Sequence, residues 1–470
     1  MSENKELTRG EQLRRSLTYD KKNGYDRVGA ADLEAMETYC VGYKQFLDAG
    51  KTERECVDRT ISLVRAAGFK PFVRGMELKA GDKVYQSNRG KAIMLAVIGR
   101  KGLEQGVNIA AAHIDSPRLD LKQLPLYETD DMAFFKTHYY GGIRKYQWVT
   151  IPLELHGVVA LKGGQTVKVS VGNGPEDPVF TIDDLLPHLG AEQSKKPLGE
   201  AIPGESLNIL VGSRPLKDDE GSDRVKLAIL ELLNRKYGIT EEDFISAELC
   251  AVPNFKASDV GFDRSLIGAY GHDDRVCAYA ALAALLQVEA PGRTAICMLA
   301  DKEEIGSEGV SGMKSQAFDT FMADLCSAQG VLPRVCYENS FCLSTDVTAA
   351  YDPNFAEVYE KRNSALINCG VGLCKYTGAR GKAGASDASA ELVAYVRRVL
   401  DNAGVVWQMA ELGRVDAGGG GTVAAFMAER NIDTLDAGVP VLSMHSPFET
   451  VAKLDCYMNF KAAKAIFEAE

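Results

Sequence analysis

Apolar positions recur at helical spacing in two neighbouring stretches near the start of the chain, Asp32 to Gly50 (DLEAMETYCVGYKQFLDAG) and Thr52 to Gly68 (TERECVDRTISLVRAAG). The second opens on Thr-x-x-Glu, in which the threonine and glutamate side chains satisfy each other's free backbone N–H groups, so two amphipathic helices are predicted. Ala92 to Gly99 (AIMLAVIG) and Val107 to His113 (VNIAAAH) are unbroken apolar runs bounded by glycine and charge. Such runs suit strands covered on both faces of a largely parallel sheet. From about Asp120 to Pro253 the period shortens to two, as in TVKVSV (166–171), with glycine turns at Gly141-Gly142, Gly163-Gly164 and Gly172 to Gly174. That texture predicts a separate β-rich unit, which also carries a helix over Asp223 to Tyr237 and a loop at SKKPLGEAIPGES. After Pro253 helices and strands alternate again: helix Asp274 to Glu289, strand Thr294 to Asp301, helix Ala388 to Ala403, strand Val439 to His445, and a last helix from about Thr450. The pattern predicts an α/β protein whose mixed, largely parallel sheet is flanked by helices. Residues 1–119 and 254–470 form this domain, and 120–253 form an inserted β-rich domain.

Composition narrows the function. At 470 residues, 46% hydrophobic and 25% charged, the chain is ordinary globular material with a large core. A net charge of −11 repels phosphate backbones and anionic lipid, which argues against nucleic acid and membrane partners. Eleven cysteines, an odd number with no CxxC pair, read as a reducing compartment. The start, MSENKELTRGEQLRR, has no apolar signal region, and the longest near-apolar run, Val276 to Val288, is shorter than the roughly 20 residues that span a bilayer. A cytoplasmic address is expected.

Two of the six histidines, His113 and His445, end predicted strands. Asp115 follows His113 by two residues and can accept the imidazole N–H that fixes a metal ligand's tautomer. Acidic residues fall at comparable places: Asp273 and Asp274 before an alanine-rich helix, Asp301 to Gly306 (DKEEIG) after a strand, and Asp346 after SFCLST. Side chains at the carboxyl ends of strands in an open α/β sheet converge on one crevice, so these scattered residues form one candidate site. Adjacent Glu303 and Glu304 can diverge on a loop, one ligating metal while the other acts as a general base. Alone, such a pair reads far more readily as a solvated acidic turn, and none of the clusters is specific by itself. HExxH, the P-loop pattern and GxSxG are all missing, which removes support for a mononuclear zincin, a P-loop enzyme and a serine hydrolase. Gly418 to Gly421 precedes a helix and suits either a tight turn or a ligand carboxylate.

The ordered set AAHIDSP, GHDDR, DKEEIGS, STD followed by DPN, and MHSPFE resembles the aspartyl aminopeptidase family of dinuclear metallopeptidases, the M-eighteen family. YYGG and LLPHLG resemble landmarks of that family's inserted domain. The resemblance implies two divalent ions, zinc first and manganese or cobalt as alternatives, with His113 and Asp346 on one, Glu304 and His445 on the other, and Asp273 bridging. It implies Glu303 as catalytic base, Asp115 as the aspartate behind His113, and a hydroxide held between the ions that hydrolyses the first peptide bond. It also implies a homo-oligomer, a tetrahedral dodecamer assembled through the inserted domain and acting on short peptides. An acidic (Asp/Glu) preference would rest on Lys375, Arg380 or Lys382. Either His188, with His138 as a further candidate, would stand in for a histidine that eukaryotic relatives lend to a neighbouring subunit, or this subfamily lacks that contact. The chain departs from the family's usual pattern at Asp274, where asparagine is common, and in TDVTAAYDPN, where a histidine is usual. The competing readings are a dinuclear deacylase or amidohydrolase and a non-catalytic scaffold of the same fold.

Overall fold

A computed structural model describes residues 7–19 and 21–470; the first six residues of the polar N-terminal stretch lie outside the described residues. The central sheet has nine strands. Its middle is built by Thr294–Ala300, Val107–His113, Phe341–Ser344 and Asp433–Gly438, each parallel to the next. Antiparallel pairs enter only where Ala92–Val97 meets Thr294–Ala300 and Lys83–Asn88, and where Val371–Cys374 meets Asp433–Gly438, so the sheet is mixed but largely parallel.

Both faces of this sheet are covered, which is why its strands read as continuous apolar runs. On one face Ile93, Leu95 and Val97 pack with residues of the helices Ala30–Ala49, Glu53–Ala66, His272–Leu286 and Lys453–Glu468. On the other, Ala92, Met94 and Ala96 pack with Ala317–Ala328 and Ala424–Glu429. The strand Val107–His113 carries three successive alanines at 110–112, all buried, which lets cover on both sides approach the backbone closely.

A second sheet, wholly antiparallel, is confined to the segment from Arg118 to Pro253. Its strands run in the order Thr166–Val171, Leu153–Ala160, Ala247–Pro253, Arg118–Thr129, Met132–Tyr140, Ile209–Gly212. They enclose a core of their own around Trp148, Leu153 and Phe244. Ion pairs join this sheet to the central domain: Arg118 to Glu53 at 2.8 Å, and Glu248 to Lys91 at 2.9 Å.

A third sheet changes the expected C-terminal region. The strand expected over Val439 to His445 shortens to Pro440–Leu442, which pairs with Glu449–Ala452 in a small five-stranded sheet, and the central sheet takes the preceding, unexpected strand Asp433–Gly438. His445 therefore sits in a hairpin loop, with φ of 65°, rather than at a strand end. The last helix starts at Lys453 because Glu449–Ala452 is held extended against Leu266–Ala269.

The capping box at Thr52 and Glu55 forms reciprocally: Glu55 N–H donates to Thr52 Oγ1 at 3.3 Å and Thr52 N–H to Glu55 Oε2 at 3.0 Å. Thr52→Ala is expected to cost about 1 kcal/mol, measurable as a lower urea midpoint with an unchanged slope.

Candidate metal centre

Three adjacent parallel strands end at the same edge of the sheet. Val107–His113 delivers His113, Thr294–Ala300 leads into Asp301 to Glu304, and Phe341–Ser344 leads into Asp346. Asp273 arrives from the start of the helix His272–Leu286, and His445 from the hairpin of the third sheet. Asp273 directs one oxygen to each imidazole: Oδ1 lies 3.1 Å from His113 Nε2, and Oδ2 lies 3.1 Å from His445 Nε2. Asp346 Oδ1 is 3.8 Å from His113 Nε2, and Glu304 Oε2 is 3.5 Å from His445 Nε2. Two candidate ligand groups result, His113 with Asp273 and Asp346, and Asp273 with Glu304 and His445, the atoms of each lying within 4.8 Å of one another.

Glu303 and Glu304 diverge because they share one tight turn, Glu303–Ile305, between Lys302 and Gly306, both at positive φ. Successive side chains on such a turn point roughly 120° apart. Glu304 is buried, whereas the Glu303 side chain keeps 20% exposure with Oε2 at 4.0 Å from His113 Nε2. Asp115 holds the turn: its Oδ1 accepts from Glu303 N–H and its Oδ2 from Glu304 N–H, both at 3.2 Å. Asp115 Oδ1 also lies 3.2 Å from His113 Nδ1. His445 Nδ1 stands 3.0 Å from the Gly142 carbonyl, which fixes that nitrogen as the N–H donor and leaves Nε2 facing the carboxylates.

Several supports were not singled out from the sequence. The Glu449 carboxylate accepts the backbone N–H of His445 at 2.7 Å and of Asp273 at 3.1 Å. Its only sequence signal is its place at the end of MHSPFE. Asp274 accepts His113 N–H at 3.3 Å, and Ser116 Oγ donates to the Asp273 carbonyl at 2.6 Å. Tyr140 donates to Asp115 at 2.8 Å.

The other sequence candidates lie outside the cluster. Lys375 and Lys382 both pair with Asp387, at 3.1 and 3.4 Å, and Lys382 lies over the Tyr376 ring. Arg380 and His188 are exposed, as is His138, which bonds the neighbouring Tyr139 carbonyl. Among the described residues, none of Lys375, Arg380, Lys382, His188 and His138 bonds the imidazole and carboxylate cluster.

So many buried carboxylates repel one another. Burial, reinforced by Asp273, pushes Glu304 well up, and burial with Asp274 does the same to Asp346. Burial pushes Glu303 up to about 6 and, with Asp273, Glu449 up to about 8. Burial also opposes the Asp273 anion, yet its bonds to His113 and His445 hold it below the usual carboxylate range. The imidazoles respond in kind. Burial disfavours their charge, but Asp115 and Asp273 raise His113, and Asp273 raises His445 to about 10.

The residues present fit divalent metal. Imidazole and carboxylate donors suit zinc, manganese or cobalt, and Glu304 Oε1 is buried with no hydrogen-bond partner. Metal must displace protons from these raised groups. The metal-free protein therefore gains stability from the protonated His445 below its unfolded pKa of about 6.5, and loses it as pH rises through about 10. Metal loading at pH 7 is expected to release protons and to weaken as pH falls, read as a buffer-dependent enthalpy in calorimetric titration.

The family model described as "Aminopeptidase I zinc metalloprotease (M18)" matches residues 46–467. "Probable M18 family aminopeptidase 1" of Clostridium acetobutylicum is 49% identical over 451 residues, which is 94% of this chain and 97% of that protein. The crystal structure of an M18 family aminopeptidase from Thermotoga maritima superposes with a TM-score of 0.92 at 44% identity, covering 96% of this chain and all of that one. The S. cerevisiae mApe1 dodecamer shares the fold at a TM-score of 0.75 and 22% identity, over 93% of this chain and 97% of that one. With its ligand geometry and a family match over most of its length, the chain belongs to the M18 zinc metalloprotease family, aminopeptidases that remove N-terminal residues from peptides.

Proposed function

We propose that two divalent cations, zinc foremost, occupy the two ligand groups and share Asp273, and that Glu303 is the general base. The observation that carries this reading is the split of the Asp273 carboxylate, one oxygen toward each imidazole at the same 3.1 Å. When bound, the cations supply polarisation of the scissile carbonyl, acidification of the attacking water and an anchor for the substrate's free α-amine. Glu303 alone among the clustered carboxylates keeps substantial exposure, and burial gives it more affinity for a proton than an ordinary glutamate has. It takes the proton from the attacking water at its carboxylate and returns it to the departing amine nitrogen. Asp115 orients this base through the backbone of the turn and orients His113 through Nδ1.

In the specificity pocket, Asp387 partly neutralises Lys375 and Lys382, leaving Arg380 as the cation of the three with no ion pair among the described residues. A modest preference for N-terminal Asp or Glu follows, resting on Arg380. The β-rich segment 120–253 is the inserted domain and carries the assembly surface. A homododecamer is supported by the dodecameric relative of the same fold. Its exposed Leu185, Leu186, Leu189 and Leu198 are apolar area that contact with another copy would bury. In such an assembly His188, on the same segment, is the residue placed to reach a neighbour. Eleven free cysteines support a cytoplasmic location, and no helix among the described residues is long and apolar enough to cross a membrane.

Glu303→Gln is expected to keep two metals per chain while kcat falls about 100- to 10,000-fold; Asp273→Ala is expected to lose metal as well. Elemental analysis beside turnover separates the two, and a Glu303→Gln protein with wild-type turnover removes the assigned base. On a panel of aminoacyl p-nitroanilides, free-amine substrates are expected to be cleaved and their N-acetylated counterparts not, with Asp and Glu leading. Cleavage of the acetylated set would make the chain a deacylase.

A further inference from the structure

Resting on that reading of the site, we propose that Tyr140, Gly141 and Gly142, which follow from the end of a strand in the β-rich segment, form a positioning element of the metal centre. Tyr140 acts through Asp115. Three consecutive residues touch three separate supports. Tyr140 Oη donates to Asp115 Oδ2 at 2.8 Å. Gly141, at φ 76°, runs so close to Glu304 that a methyl group there would lie 3.2 Å from Oε2 and 3.3 Å from Cβ. Gly142 offers its carbonyl to His445 Nδ1 at 3.0 Å. The element thus reaches both ligand groups, His113 through Asp115 on one side and Glu304 with His445 on the other.

Asp115 shows why the tyrosine hydroxyl matters. Its carboxylate, fully buried, accepts from the backbone N–H groups of Glu303 and Glu304 and from Tyr140 Oη, and His113 Nδ1 lies between the Asp115 carbonyl at 3.1 Å and Oδ1 at 3.2 Å. The Tyr140 ring is clamped by the Arg118 guanidinium at 4.2 Å, which is itself fixed by Glu53 at 2.8 Å and Asp120 at 2.7 Å. A purely structural tyrosine would be described by its packing alone. Here the packing is incomplete: a cavity of about 740 Å³ between the two domains is lined by Tyr140 and Arg118, and also by Lys302 and Ile305, which flank the two glutamates. With open volume on that side, the turn bearing Glu303 is located by its bonds to Asp115, and Asp115 is located from the β-rich side by Tyr140.

The test uses the full-length, metal-loaded protein and the variant Tyr140→Phe. A cooperative thermal transition and a wild-type elution volume report that the variant folds and assembles. The expected result is a kcat at least about 10-fold lower with KM within about twofold. The chelator concentration that strips half the metal should fall about 10-fold, and the visible d–d spectrum of the cobalt-loaded protein should change. Tyr140→Phe with wild-type kcat, chelator midpoint and cobalt spectrum would overturn the assignment. If Tyr140→Phe fails to fold, Gly141→Ala, which presses a methyl group on Glu304, carries the test with the chelator and cobalt readouts, and wild-type values there overturn it equally. Should the wild-type protein cleave no free-amine substrate, the aminopeptidase reading fails while the chelator and cobalt arms still decide the positioning role.

Discussion

A single buried carboxylate fastens the site together. The Asp115 carboxylate receives two backbone N–H groups and a phenol hydroxyl, and His113 Nδ1 faces both its Oδ1 at 3.2 Å and the carbonyl of the same residue at 3.1 Å. Those donors come from the strand end at His113, from the turn after Thr294–Ala300 and from the β-rich sheet. Its proton affinity records this crowding: burial should raise it, yet the bond from His113 and the hydroxyl of Tyr140 keep it lowered. Charge-assisted bonds to a buried carboxylate are among the stronger polar interactions in a protein, and the removal of any donor leaves desolvated charge behind. The placement of Glu303 and of one imidazole thus depends on one residue outside both ligand groups.

The sheet makes this economy possible. Parallel strands in adjacent positions end at one edge, so residues nearly two hundred positions apart arrive side by side without long connecting loops. The third sheet then brings His445 from the far end of the chain, and Glu449 ties the backbones of His445 and Asp273 to each other. Close backbone approach matters as much: a methyl group at Gly438 would overlap the carbonyl oxygen of Asp346. The strand Asp433–Gly438 must therefore end in glycine for Asp346 to reach the cluster.

Much of this was legible in the chain. The paired helices, the strands at 92 and 107 and the change of period near residue 120 follow from apolar spacing, which responds directly to burial. His113, Asp115, Asp273, Glu303, Glu304, Asp346 and His445 were nameable through the ordered motifs that resemble the family's, since each polar cluster alone also reads as a solvated turn, and the structure gathers all seven. Glu449 and Tyr140 lay inside the motifs MHSPFE and YYGG, but their roles were not legible, since each acts by a hydrogen bond to a partner more than twenty residues away or to a backbone group. The third sheet was hidden for the same reason: Leu266–Ala269 and Glu449–Ala452 pair across more than 180 residues, and each is too short to announce itself. Lys375 and Lys382 looked like free cations in sequence, whereas Asp387 folds back onto both.

The cysteines bear on which metal the protein carries. All eleven are buried and unpaired, and none joins either ligand group. A thiolate would bias the centre strongly toward soft, tightly held ions, while nitrogen and oxygen donors accept zinc, cobalt and, more weakly, manganese, so that metal availability helps decide among them. With sulfur excluded from the coordination shell, the identity of the resident ion becomes a property of the surrounding metal pool as much as of the chain. The same polypeptide drawn from cells of different metal supply would then differ in its inorganic part alone.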